Sequence, residues 1–133
     1  MTKEKKECGT SNMTWTELRT ESQLEQIQEE SRTKTILIFK HSRRCSISRM
    51  ALDRLERKWN AEETLHIKPY FLDLVSFRET SACVARQFDV EHESPQILII
   101  ENGQSIYDRS HFDIDYDKIL EAAKKIEGSV FIR

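Results

Sequence analysis

The sequence predicts an α/β protein with a mixed sheet of four to five strands and helices on both faces. Three observations carry this. Short apolar or β-branched runs recur at residues 35–40, 68–75 and 96–101. Amphipathic helical patterns separate them, as strand–helix–strand crossovers require. Asn102-Gly103 then marks a two-residue hairpin, so the last two strands run antiparallel.

The elements follow in order. Residues 14–19 alternate weakly around Trp15 and Leu18 and read as a short strand. Thr20 suits a helix N-cap, with Gln23 at the capping-box position, and Leu24 and Ile27 give that helix a narrow apolar stripe up to Ser31. The run 35–40 suits a buried strand. A second helix starts at Cys45 or Ser46 and reaches Asn60. Ile47, Ala51, Leu55 and Trp59 share one face of it, which Met50 and Leu52 widen. The strand 68–75 is entered through Pro69. Ser76 can cap the next helix, with Glu79 as its capping-box partner and Val84, Ala85 and Phe88 as its apolar face. Ser94-Pro95 punctuates the chain before the strand 96–101, and residues 104–108 return from the hairpin. Asp113 or Asp115 caps a last helix that buries Ile119, Leu120, Ala123 and Ile126 and ends near Gly128. The order β-α-β-α-β-α-β-β-α is the thioredoxin-like one.

A chain of 133 residues fits one compact domain and can bury a core without disulfide or metal staples. Residues 13–133 are read as that domain. Residues 1–12 are polar and read as a disordered extension, with Met13 an alternative start. The net charge of −2 gives no basis for a nucleic-acid surface. No apolar run approaches a membrane span, and the charged first residues lack the apolar centre of a signal peptide. The expected location is therefore cytoplasmic. Cys8, Cys45 and Cys83 are odd in number and irregularly spaced, unlike a disulfide framework. Cys and His never fall at zinc-site spacing, so no metal is expected.

The informative segment is "FKHSRRCSIS", residues 39–48. A cysteine at a helix N-terminus meets unpaired backbone N–H groups and the positive end of the helix dipole. Both favour the thiolate, the nucleophile of thiol–disulfide exchange. Arg43 and Arg44 add positive potential. The competing reading is a small buried cysteine at a strand–helix junction. Pro95 weighs against it. Proline cannot donate to a ladder, so it suits the entry to a strand. In a thioredoxin-like arrangement that position lies beside the reactive cysteine, with its peptide bond in the cis form. Cys83, among "SACVA", reads as half-buried core. Cys8 reads as an exposed bystander. His66 and His92 read as surface residues, and Trp15 and Trp59 as packing.

"FKHSRRCSISRMA", "HESPQILII" followed by Asn102-Gly103, and "YDRSH" together resemble the monothiol bacilliredoxins, redox proteins of the bacillithiol system. The likeness runs from about Trp15 to Ile126. It implies a thioredoxin-like fold and a reactive thiol that removes bacillithiol from protein mixed disulfides. On this resemblance Cys45 matches the nucleophile. Ser48 stands where dithiol relatives carry a resolving cysteine. His41 and Ser42 match the "HS" before the active-site loop. Glu93, Ser94 and Pro95 match "ESP", with Pro95 the cis-proline, and His111 matches a histidine after the last strand. Better-known members read T-C-P-I-S. Here Arg44-Cys45-Ser46-Ile47-Ser48 lacks that proline, and a different small thiol stays open as co-substrate.

Two classes of function follow. In the first, the chain is a monothiol oxidoreductase whose partners are a bacillithiol-type thiol and thiolated client proteins, with no metal or organic cofactor. Ser48 can then donate to the thiolate, His41 can serve as acid/base or as a strand-end cap, and Arg43 and Arg44 can meet substrate carboxylates. In the second, the chain is a binding or redox-sensing module whose Cys45 is thiolated without efficient turnover. A cluster-carrying variant is disfavoured because the C-G-F-S loop of that group is absent.

Overall fold

The computed structural model describes residues 13–123. The expected extension 1–12 with Cys8, and Ile126 and Gly128 of the expected last helix, lie outside the described residues. The elements are β1 (Thr16–Glu17), α1 (Glu21–Glu30), β2 (Thr35–His41), α2 (Ser46–Lys58), β3 (Ile67–Asp73), α3 (Arg78–Phe88), β4 (Gln96–Glu101) and β5 (Gln104–Ser110). A 3-10 turn, His111–Asp113, follows, and α4 covers residues 116–123.

The sheet has five strands in the order β1-β3-β2-β4-β5. β1 and β2 run parallel to β3, whereas β4 runs antiparallel to both β2 and β5. β2 lies at the centre, and all seven of its residues are buried. This is why its stretch 36–39 is continuously apolar rather than alternating. Successive side chains still part to opposite faces. Leu37 and Phe39 pack with Ala51 and Leu55 of α2, Trp59 at its C-cap and Ile119 of α4. Ile36 and Ile38 pack with Leu24 and Ile27 of α1 and Val84 and Phe88 of α3. The two helical layers are thus two separate cores on one sheet.

Local chemistry explains most boundaries. Gln23 Oε1 accepts the Thr20 N–H at 3.0 Å, the returning half of the capping box that starts α1. Asn102 and Gly103 have φ values of 52° and 76°, the paired left-handed residues of a tight hairpin. The hairpin is also tied to the end of α1, since Ser31 accepts the Asn102 N–H at its carbonyl and the Gly103 N–H at its hydroxyl, both at 2.8 Å. Pro69 is the third residue of β3, and β1 pairs with that strand only from Tyr70 onward. Asp115, rather than Asp113, caps α4, its carboxylate accepting the Lys118 N–H at 3.1 Å.

Two expectations are corrected. Ser76 does not cap α3: the N-cap is Phe77. The turn before α3 is organised by Asp73, whose Oδ1 accepts the Val75 N–H at 3.1 Å and whose Oδ2 accepts the Ser76 hydroxyl at 3.1 Å. An aspartate three residues earlier outcompetes the serine because it can satisfy several donors at once. His66 is half-buried rather than a surface residue, and its Nε2 is enclosed without a partner.

Candidate active site

Strand register collects the singled-out residues at one end of the sheet. His41 ends β2 opposite Asp73, Lys40 pairs with Gln96 at the start of β4, and Gln96 pairs with Ser110 at the end of β5. The Cys45 turn, Pro95 and His111 therefore emerge side by side.

Cys45 is the N-cap of α2, with an extended backbone (φ −105°, ψ 122°). Its N–H donates to the Ser42 carbonyl at 3.0 Å, and its carbonyl accepts the Arg49 N–H at 3.1 Å. The side chain is half-buried, Ser46 beyond it is exposed, and the first turn of α2 carries no acidic residue. The free N–H groups of that turn thus face no competing carboxylate of their own helix.

Ser48 is fully buried. Its Oγ accepts the Ser42 N–H at 3.0 Å and lies 2.7 Å from His41 Nδ1. Ser48 Oγ is thus engaged behind the turn, with Ser42 and His41 as its partners. His41 is 7% exposed, and its ring packs on Phe71 with centroids 5.3 Å apart. Burial is the main cause holding its imidazole below the ordinary value of 6.5. Asp73 opposes this, and Arg49 and Arg43 add to it. A neutral His41 bonded to Ser48 is a structural brace, which favours the strand-end role over acid/base work.

The two arginines divide. Arg43 Nη1 donates to Asp73 Oδ2 at 2.7 Å and to Ser76 Oγ at 3.3 Å, which ties the cysteine turn to the end of β3. That pairing gives Arg43 a structural role at the base of the turn. Arg44 is exposed, and no ion pair among the described residues uses it.

On the other side of the cysteine turn, the Ser94–Pro95 bond is cis and Pro95 is buried. The Pro95 carbonyl accepts the His111 N–H at 2.9 Å. His111 adopts a left-handed φ of 55°, and its Nε2 lies 3.4 Å from Glu93 Oε1. Ser94 Oγ is enclosed without a partner. Glu93, Pro95 and His111 thus form one cluster.

Two residues emerge that the sequence reading did not assign to the site. Lys40 is fully buried, and its Nζ lies 3.3 Å from His92 Nδ1. Burial pushes its pKa down to about 8, opposed by Glu93. In the sequence Lys40 sits next to His41 at the polar end of the apolar run 36–39, and nothing there marks it as buried. Asp73 gave no signal either, because an acid at a strand end is unremarkable until its arginine is placed. Cys83, in contrast, lies apart. It packs on the α1–α3 core, accepts a hydrogen bond from Arg86 Nη2 at 3.1 Å, and has its thiol pushed up chiefly by a hydrogen bond with Glu21.

Comparisons with known proteins agree with this fold. A family model described as monothiol bacilliredoxin BrxC matches residues 16–119. A solved structure described as a candidate oxidoreductase with a thioredoxin fold is 32% identical, with a TM-score of 0.69 over 80% of this chain and 90% of that one. Thioredoxin from Malassezia sympodialis is 16% identical, with a TM-score of 0.67 over 87% of this chain and 93% of that one. Thioredoxin from Fasciola hepatica is 19% identical, with a TM-score of 0.62 over 82% and 96%. At such identities the two thioredoxins share the fold alone. A 61-residue stretch, 44% of this chain, is 34% identical to smooth-muscle myosin light chain kinase of Gallus gallus. It spans 3% of that protein, too little to transfer an activity. No helix among the described residues is long and apolar enough to cross a membrane.

Proposed function

The chain belongs to the monothiol bacilliredoxin family, and from that premise we propose that Cys45 removes bacillithiol, or a closely similar small thiol, from protein mixed disulfides. One observation carries the reading: Cys45 caps α2 half-exposed, while the residue three positions on is a buried serine held by His41 and Ser42.

The chemistry is two exchanges. The Cys45 thiolate attacks the small-thiol sulfur of the mixed disulfide. That S–S bond breaks, the client sulfur leaves as a thiolate and takes up a proton, and Cys45 now carries the small thiol. A second small thiol, as its thiolate, attacks the sulfur attached to Cys45, releasing the Cys45 thiolate and a small-thiol disulfide. Ser48 cannot form a disulfide, so resolution inside the motif is closed. The N-terminal N–H groups of α2 stabilise negative charge on the reacting sulfur. Arg44, exposed beside Cys45, suits a carboxylate of the small thiol. The reaction needs only that thiol as co-substrate, and a cytoplasmic setting supplies the reducing conditions it works in.

The test is direct. A bacillithiolated client is incubated with reduced protein and free bacillithiol, and the client is weighed by intact mass. Wild type should restore the free client thiol, and Cys45→Ala should not. A folded wild type that leaves the client modified sinks the reading. Stoichiometric thiolation of Cys45 without turnover would instead identify a redox sensor.

A further inference from the structure

β2 ends in two consecutive polar residues that point to opposite faces. His41 braces the cysteine turn through Ser48 on the α2 side. Lys40 occupies the equivalent place on the α3 side, in line with Ile36 and Ile38, where an aliphatic residue would pack without cost. Burying an ammonium group there is expensive unless its partners use it. Those partners all serve the segment leading into Pro95. His92 Nδ1 is 3.3 Å from Lys40 Nζ, and Glu93 is the charge that favours its protonated form. Gln96, paired with Lys40 across the ladder and 1% exposed, closes the same segment from within. Its Nε2 donates to the Glu91 carbonyl at 2.9 Å, and its Oε1 accepts the Glu93 N–H at 3.4 Å.

We propose that Lys40 is a positioning residue, whose buried ammonium group holds residues 92–95 in place beside the Cys45 turn. The proposal rests on the exchange reading above and adds to it the source of the order on the proline side. Every neighbour of Lys40 fits this. From the loop before β4 come His92 and Glu93, the two titratable groups that face it. From α3 comes Ser81, whose Oγ shares His92 Nδ1 at 3.4 Å. From β3 comes Leu72, its register partner. Arg78 and Arg86 lie further out, lining with Ser81 and His92 a cleft of about 640 Å³. Glu93 in turn reaches His111, so the charge order runs from Lys40 through Glu93 to the residue bonded to Pro95. Loss of the ammonium charge therefore loosens how the mixed disulfide is seated and leaves the thiol itself intact.

The experiment has two arms. In the first, backbone amide resonances of residues 92–94 are followed in the Cys45→Ala protein from about pH 7 to about pH 9.5, so that the reacting thiol contributes nothing. His92, held below 6.5 by burial and by Lys40, is already neutral there. The amides should move together as pH rises through about 8. Adding Lys40→Met should abolish that transition and leave the amides at their high-pH positions throughout. In the second arm, Lys40→Met in the otherwise wild-type protein is assayed on a bacillithiolated client and on iodoacetamide. KM should rise about tenfold, the worth of one charge-assisted hydrogen bond, with kcat and the Cys45 alkylation rate nearly unchanged. Amides that do not titrate in the first arm overturn the proposal, as does a Lys40→Met protein with wild-type amide positions and KM. If the wild type turns over no client, the exchange reading fails, while the amide arm still decides on Lys40.

Discussion

Ser48 Oγ lies 2.7 Å from His41 Nδ1 while accepting the Ser42 N–H at 3.0 Å, so one buried hydroxyl joins the end of β2, the turn before Cys45 and the first turn of α2. Truncating it to alanine strands a buried N–H and a buried ring nitrogen. Ser48→Ala should therefore lose about 1–3 kcal/mol of stability, read from urea unfolding. An unchanged midpoint would show that water satisfies both groups instead.

His41 makes stability acid-sensitive. Its folded value is depressed by burial below 6.5, so between the two values the unfolded chain binds the extra proton. Stability from this group is complete above 6.5 and falls as pH drops through the window beneath it. His41→Asn, which retains an acceptor near the Nδ1 position, should flatten that part of the stability–pH curve. Urea midpoints between about pH 7.5 and about pH 5 measure it.

Cys83 should take no part in resolution. It packs against the α1–α3 core beside Glu21, whereas Cys45 caps a helix of the opposite layer. Cys83→Ser should dethiolate clients at the wild-type rate. Oxidant treatment followed by peptide mass mapping should yield no Cys45–Cys83 link; finding one would require the layers to separate.

Arg44 is the exposed cation nearest in sequence to Cys45, and Arg43 is taken by Asp73. Arg44→Glu should raise KM a few-fold for a client modified by a carboxylate-bearing thiol. It should do so less at high salt, because an exposed charge is screened. Arg43→Ala should act differently, on the anchoring of the turn.

Gly103 holds a φ of 76°, and a Cβ there would meet only the Gln28 amide at 3.6 Å. The cost of Gly103→Ala is thus conformational rather than steric, about 1–2 kcal/mol. Because the hairpin lies at the far end of β4 from Pro95, dethiolation should be unaffected.

Elements governed by local patterns were legible. The apolar runs became β2, β3 and β4, and the four-residue spacing of Ile47, Ala51, Leu55 and Trp59 placed α2. Asn102-Gly103 has the paired left-handed residues of the predicted turn. What stayed hidden depended on partners distant in sequence. Ser76 looked like a cap until Asp73 took its donors. That Ser48 pairs with His41, seven residues back, could not be read from spacing. Lys40 reads as an ordinary polar end to a strand, and only the fold shows it enclosed between His92, Ser81 and Gln96. Spacing can nominate a nucleophile, but the direction of a hydroxyl or an ammonium group is a tertiary fact.

The cysteine turn springs from the central strand, which is paired with β3 along its whole length and with β4 over residues 36–40, and is buried throughout. Edge strands are different: β1 has two residues, and β5 alternates between half-buried and exposed positions. Amide protons of β2 should accordingly be among the last to exchange with solvent, and those of β1 among the first. Fraying that begins at the rim of the sheet therefore leaves the root of the reactive turn closed, so heating should loosen the periphery before it reaches the sulfur's support.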